Sequence, residues 1–494
     1  MAYLHGAYGQ TNVSGSRVAD NGGTGFVMIG TAPVHTLADY SGSVNKPIVC
    51  ESIADARRKL GYSDDWANYT LCEAMHYVLD EMGVGPVIFI NVLDPDKHFE
   101  KQGQEKKETS VTVSFVNGVG TIANAENAIL SSLAVTGKTA GTDYTAEYDY
   151  QTKAITISEL TTGSMTGSIA CTYNTVDPAS VVAADIIGTE TQPGLYTGLQ
   201  VVKGVYQTTG FVPSWLAAPG WSSLPAVHAA MVSIAHKINN HWDAWVLADL
   251  PLVDGAGTQL TFATAATWKN TNGYNKDNET VCFPMVEGTD GKYYHLSVLR
   301  AAAELRLLAD NDDIPYHTAS NKEAAIIRNL YLGNAYQGYV WDEEYVNKYL
   351  NSKGITSAAY VGGRWALWGA HAANYSEDDA NAVNVSETAV QMLYYVSNDF
   401  QRRRILDVDE PMTANDLYTI VSEEQSRLDA LVRIGALTYG EAILDARSIS
   451  GSDLMSGDFT FTFNVTTTPI AKSLTAIVNW TDDGFVTYFG TGEE

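Results

Sequence analysis

The sequence predicts a multidomain α/β (α+β) protein: an α/β core with an inserted all-β domain, extended N- and C-terminal arms and a β-rich C-terminus. Three observations lead there. Apolar strand-like runs alternate with segments of 3.6-residue periodicity over 25–100 and again over 180–340. Between them, 109–177 changes to period-two alternation punctuated by Gly, Thr, Asn and Asp. The chain has 494 residues, 45% of them hydrophobic, which is too long for one core and supplies enough apolar material for several.

Taken in order, residues 1–24 are rich in Gly, Ser, Thr and Asn, with little to bury, and read as an arm. Gly25–Gly30 (GFVMIG) is the first core strand. Residues 51–61 form a short helix stopped by Gly61. A helix over 66–82 places Leu71, Met75, Val78 and Met82 on one face and stops at Gly83. Pro86–Val92 reads as a fully buried strand. The polar run HFEKQGQEKKE is a linker. VTVSF at 111–115, YTAEY at 144–148, AITIS at 154–158 and SIACTY at 168–173 predict a small β-sandwich or barrel, inserted at 101–179.

The α/β pattern then returns. Phe211–Ala217 is a strand ending at Pro219-Gly220. Ser222 or Ser223 caps the next helix, Pro225 sits in its first turn, and Val227, Met231, Ile234 and Ile238 form its stripe. Ala244–Leu250 completes a βαβ unit, so a parallel sheet is expected. A strand at Val281–Val286 and a helix at 295–309 make a second unit. From 341 onward the reading is a helix at 342–352 before Gly354, and a long helix at 386–406. A further helix has Thr413 as N-cap and Asp416 at its third position; its apolar face is Leu417, Ile420, Val421, Leu428, Leu431 and Val432, and Gly435 ends it. Strands at Asp458–Val465, Ser473–Trp480 and Phe485–Phe489 close the chain.

Charge excludes several function classes. The formal net charge is −27 at pH 7, and the one dense basic run is Arg402-Arg403-Arg404. Such a surface repels phosphate, so neither nucleic-acid binding nor attachment to anionic membranes is expected. The opening MAYLHGAYGQTNVSGS lacks a basic start and an apolar stretch, so no signal peptide is expected. No apolar run reaches the roughly 18 residues of a membrane span, so no membrane insertion is expected. Cys50, Cys72, Cys171 and Cys282 are far apart, with no CxxC pair, and read as free buried thiols in a reducing compartment.

A search for chemistry assigns no catalytic, cofactor or metal residue. GTGFVMIG at 23–30 lacks GxGxxG spacing and opens a strand instead of following one; GxxxxGK[ST] and GxSxG do not occur. His236 and His241 stand five apart, off the spacing of metal-binding helix pairs. Asp312-Asp313, Glu377-Asp378-Asp379 and Asp482-Asp483 lack the calcium-loop pattern and read as solvated turns. Trp365 and Trp368 in GGRWALWG read as packing in preference to a carbohydrate platform. Two rival readings are a hydrolase with a β accessory domain, which requires a pocket with perturbed acid and base groups, and a surface-layer or adhesin-type protein, which requires secretion.

Three segments carry a family resemblance. VPSWLAAPGWSSLPAV at 212–227 resembles the strand, Pro-Gly turn and helix of contractile phage tail sheath proteins. KGI at 353–355 followed by VGGRWALWG at 361–369 is similar to their glycine-rich entry to the C-terminal domain, and GFVMIGTAP at 25–33 to their first core strand. The resemblance spans nearly the whole chain outside the insert, and the order of the motifs carries it. It implies a non-enzymatic subunit of stacked hexameric rings around a tail tube, meeting baseplate and tail terminator proteins. Contraction then drives the tube through a host cell envelope. The implied location is a virion tail or phage-tail-like particle, assembled in the bacterial host cytoplasm.

The implied organisation is an arm at 1–24, a discontinuous middle domain at 25–100 and 180–340, the insert at 101–179 on the outer surface, an inner tube-facing domain at 341–483 and a C-terminal arm at 484–494. Strand exchange with neighbouring subunits is expected through Val13 and Val18 and through Phe485, Val486, Thr487, Tyr488 and Phe489. Arg402, Arg403 and Arg404 are candidate contacts to the tube, against the alternative of an exposed face pairing with Asp407 and Asp409.

Overall fold

The computed structural model describes residues 23–103, 105–333, 341–376, 386–444, 451–482, 484–485 and 488. Its main sheet forms because several short apolar runs are buried on both faces. β1 (Thr24–Gly30) lies at its centre with Phe26, Val27, Met28 and Ile29 fully buried, each worth about 1.5–3 kcal/mol relative to exposure. β2 (Pro47–Cys50) and β3 (Val87–Asn91) flank it on one side, and β10 (Val212–Ala217), β11 (Trp245–Asp249) and β12 (Glu279–Cys282) on the other, in the order β12-β11-β10-β1-β3-β2. All neighbours run parallel except β2, which is antiparallel to β3. The register sets Phe26 beside Trp215, and their rings stack at 5.5 Å.

The helices cover this sheet much as their periodicity predicts. α1 (Ile53–Leu60) is capped by Ser52 and ends at Gly61, whose φ of +74° no branched residue adopts without strain. The helix expected over 66–82 begins later, as α2 (Thr70–Ala74), and widens into a π-helix over Met75–Glu81; Met82 N–H donates to Tyr77 O at 3.0 Å. α3 (Pro225–Ala235) starts at proline, but its cap is Leu224 and not a serine. The Ser222 hydroxyl instead accepts from Asp249 N–H at 3.0 Å, which ties the turn after β10 to the end of β11. α4 (Phe262–Thr271) has no counterpart in the sequence reading. The strand expected at 281–286 is cut at Phe283-Pro284, since proline has no N–H for the ladder. β13 (Met285–Gly288) turns into a separate antiparallel sheet with β14 (Tyr293–Tyr294) and β15 (Ile327–Tyr331). α5 (Leu296–Asp310) then packs back on the main core.

Residues 108–174 form two three-stranded antiparallel sheets around their own apolar cluster, a sandwich and not a closed barrel. One is ordered β4 (Glu108–Phe115), β9 (Gly167–Asn174), β6 (Ala134–Val135). The other is ordered β5 (Val119–Ile122), β8 (Ala154–Glu159), β7 (Tyr144–Asp149). Val113, Phe115, Ile155 and Ile157 meet between them. The chain enters and leaves side by side, with Phe99 bridging Val176. His35 Nε2 donates to Glu126 O at 2.8 Å and joins the sandwich to the body.

Two buried ionic joints hold distant segments together. His295, at the start of α5, meets Glu73 of α2 through its ring (2.7 Å) and its N–H (2.6 Å). Burial works against the imidazolium, but the Glu73 carboxylate prevails and pushes its pKa up to about 9. Arg300 of α5 is fully buried; it donates to Glu304 (2.9 Å), to Gly369 O (2.8 Å) and to Glu387, the first residue of α7 (Glu387–Arg404). Glu387 also accepts from Thr280 and Thr318 hydroxyls at 2.9 and 2.7 Å.

Candidate assembly surface

Residues 341–376 join the main core. α6 (Glu343–Tyr349) is capped by Asp342, and Gly354 at φ +65° leads into the hairpin β16 (Ser357–Val361) and β17 (Arg364–Trp368). Trp365 sits edge-on to Tyr360, and Trp368 Nε1 donates to Asn347 at 2.8 Å, so both indoles are engaged within the chain.

The C-terminal third has a smaller core of its own. α8 (Ala414–Arg433) begins with the predicted capping box: Asp416 N–H donates to Thr413 Oγ1 at 3.3 Å and Thr413 N–H to Asp416 at 2.8 Å. Leu417, Ile420, Leu428 and Leu431 are buried, as their spacing requires. Leu428 and Leu431, with Met392 and Val396 of α7, meet Leu437 and Ala442 of β18 (Leu437–Ile443). β18 pairs antiparallel with β19 (Thr462–Thr467), and that sheet has two strands only among the described residues. Both outer edges therefore present ladder groups with no described strand beside them.

Beyond β19 the tail leaves the body. Lys472 ties the start of this segment to the body: the ammonium donates to Tyr375 OH at 2.6 Å and lies 5.0 Å from that ring. The strand expected at Ser473–Trp480 pairs with nothing described in its own chain, because a lone strand has no partner for its N–H and C=O groups. Its side chains still alternate: Leu474, Ala476, Val478 and Trp480 share one face of an extended chain. Leu474 is 92% exposed, Val478 91% and Trp480 80%. Within the strand expected at 485–489, the described residues Phe485 and Tyr488 have helical backbone instead, as does Gly484, and Phe485 N–H donates to Asp482 O at 2.9 Å. Val13, Val18, Val486, Thr487 and Phe489 lie outside the described residues.

Over 506 aligned residues the chain is 27% identical to the tail sheath protein of Burkholderia phage BcepMu, with 99% of each chain covered. The likeness to a tail sheath protein thus runs the whole length of the chain. No family model matches it. Among solved structures it is similar to the sheath tail protein of Desulfitobacterium hafniense (13% identical, 89% of this chain and 94% of that one, TM-score 0.49). The sheath tail protein of Listeria innocua gives 12%, 90%, 95% and 0.49. These structural likenesses are weak.

The three arginines at the end of α7 face carboxylates of their own molecule. Arg403 forks onto Glu424 with two 2.6 Å bonds and reaches Asp399 at 2.9 Å. Arg404 meets Glu424 at 2.7 Å, Glu423 at 2.8 Å and Asp407 at 3.3 Å, and Arg402 meets Asp399 at 2.8 Å. Burial alone would raise the Asp399 and Glu424 carboxyls, yet the arginines around them hold both below the usual range. The cluster therefore locks α7 to α8. The sequence reading named Asp407 and Asp409 as partners and missed Asp399 and Glu424, the latter a full helix away in the chain.

No group of His, Cys, Asp and Glu able to hold a metal ion occurs among the described residues. His236 is a surface residue 3.4 Å from Asp243, while His241 lies against Trp242. All four cysteines are free and buried.

Proposed function

We propose that this chain is the repeating subunit of a contractile tail sheath, stacked as hexameric rings around a tail tube between a baseplate and a tail terminator. On firing, the array shortens and drives the tube through the target cell envelope. Its role is structural. The energy comes from new contacts between subunits assembled in a strained array, so no cofactor or nucleotide is used. The particle is a phage tail or a phage-tail-like bacteriocin, built in the host cytoplasm.

One observation carries this reading: an apolar, alternating tail at 474–480 that the described residues leave uncovered, in a chain whose two-stranded C-terminal sheet has no further described strand at either edge. Adding a neighbour's strand to such an edge satisfies both at once. A linkage of this kind is strong along the ladder and tolerates rotation of the bodies it joins. The arms proposed to exchange are residues 5–24, with Val13 and Val18, and the tail from 473 through Phe485, Val486, Thr487, Tyr488 and Phe489. The sandwich at 101–179 is assigned to the outer wall and 341–483 to the inner layer. There Arg402, Arg403 and Arg404 are proposed to add tube contacts to the carboxylate pairs they already make.

Removing 473–494 is expected to give a soluble, unassembled subunit, with removal of 484–494 weakening assembly less. Negative-stain microscopy and sedimentation of the purified chains provide the test. Tubes of normal width from the chain lacking 473–494 would refute strand exchange.

A further inference from the structure

The sandwich and the body have separate apolar clusters, so the placement of one on the other depends on the joint between them. That joint is a two-stranded neck. Phe99 on the way in bridges Val176 on the way out, Glu100 N–H donates to Thr175 O at 2.9 Å, and Asp177 N–H donates to His98 O at 3.0 Å.

His98 sits inside the neck at 3% exposure. Asp94 N–H donates to its Nδ1 at 3.0 Å and closes the entry turn, in which Asp94 O accepts from the N–H groups of Lys97 and His98 at 2.9 and 2.7 Å. A ring nitrogen that accepts carries no proton, so His98 is neutral with its hydrogen on Nε2. That Nε2 lies 3.4 Å from Asp185 Oδ2 and makes no hydrogen bond. Asp185 belongs to the short helix Ala183–Ile187 on the exit side, and Val182 N–H at 2.9 Å and the Lys97 ammonium hold its carboxylate in place. The ring thus spans the entry and exit segments, with one nitrogen satisfied and the other facing a carboxylate.

A second proton upsets this arrangement. It can enter only at Nδ1, where the new N–H points at Asp94 N–H and the bond between them is lost. Burial works against the charged ring and holds His98 below its usual range, ahead of the opposing pull of Asp185. The other charged groups facing the ring are Lys97, which opposes its charge, and Asp94, which favours it.

We propose that His98 is a proton-operated latch on the neck of the sandwich. Neutral, it closes the entry turn through Asp94; protonated, it releases that turn, turns to Asp185 and lets the sandwich shift on the body. The bond from His35 to Glu126 O outlasts it, because burial pushes the His35 imidazole down to about 4. A folded pKa below the unfolded one makes the latch's contribution complete above about 6.5 and lost as pH falls through the lower folded value. The latch lies within one chain and stands apart from the sheath reading.

Hydrogen exchange of the full chain across pH 7.5 to 5.5, read by peptide and with labelling times scaled for the intrinsic pH dependence of exchange, tests it. The expected result at the lower pH is about tenfold more frequent opening of 94–100 and 174–178, the worth of one hydrogen bond, with β1 and β3 unchanged. His98→Asn supplies an Oδ1 acceptor to Asp94 N–H and does not titrate, so its neck is equally protected throughout the range. Asp185→Asn keeps an acceptor for Val182 N–H but removes the carboxylate that draws the proton, so its neck opens at lower pH than the wild type. An equal pH response in wild type and His98→Asn overturns the proposal, and so does a neck that tightens on acidification. Where His98→Asn fails to fold, Asp185→Asn decides, and opening at the wild-type pH overturns the latch.

Discussion

The Arg300 joint gives a graded set of expectations. One buried guanidinium faces two buried carboxylates, Glu304 and Glu387, and burial, ahead of every charge nearby, pushes Glu304 up to about 7. Burial thus favours the neutral form of Glu304, which leaves Glu387 as the principal counter-ion. Glu304→Gln should cost little, about 1 kcal/mol, the worth of one ordinary hydrogen bond. Glu387→Gln removes the principal counter-ion, but Glu304 then ionises in its place, which limits the loss to about 3 kcal/mol, the lower end for breaking a buried pair. Arg300→Met leaves two buried carboxyls with no cation and should cost about 5 kcal/mol, the upper end. Urea unfolding at pH 7, followed by tryptophan fluorescence, reads this order. Trp245 is a local reporter because its Nε1 bonds Thr280, which bonds Glu387. If Arg300→Met proves no less stable than Glu304→Gln, the account of this joint is wrong.

Three further outcomes are expected. His295 has a folded pKa raised above its unfolded value, so the stability it contributes is complete below about 6.5 and is lost as pH rises through about 9. Denaturation midpoints measured from pH 6 to 10 should fall more steeply in the wild type than in Glu73→Gln, and parallel curves would reject the assignment. Thr413→Ala breaks the capping box of α8 and should lower stability by about 1 kcal/mol in the same assay, with Thr413→Ser close to wild type. Leu474→Asp, Val478→Asp and Trp480→Asp combined should abolish assembly while leaving the monomer's melting temperature unchanged, because these side chains touch little of their own body. Sedimentation velocity separates that result from misfolding.

Much of the architecture was legible one segment at a time. β1, β3, β10 and β11 are buried on both faces, so their unbroken apolar runs identify them with no knowledge of neighbours. Thr413 with Asp416 and Gly61 after α1 mark helix ends because capping uses residues within one turn. Where a residue had a distant partner, the local reading failed. Ser222 looked like a cap and instead holds Asp249. Gln391 was anonymous in the sequence and Asp313 read as part of a solvated turn, and only the approach of α7 to the sheet brings them to one wall of a cavity.

The C-terminal tail shows where that division falls. Alternation along 473–480 is a property of consecutive side chains, so the sequence alone determined that the segment has one apolar face. Whether that face finds cover is decided by what stands beside it, and only the tertiary structure shows that no described strand of its own chain does. Side-chain periodicity is written within a few residues, whereas hydrogen-bond and ion-pair partners such as Arg300 with Glu387 are chosen by the path of the whole chain.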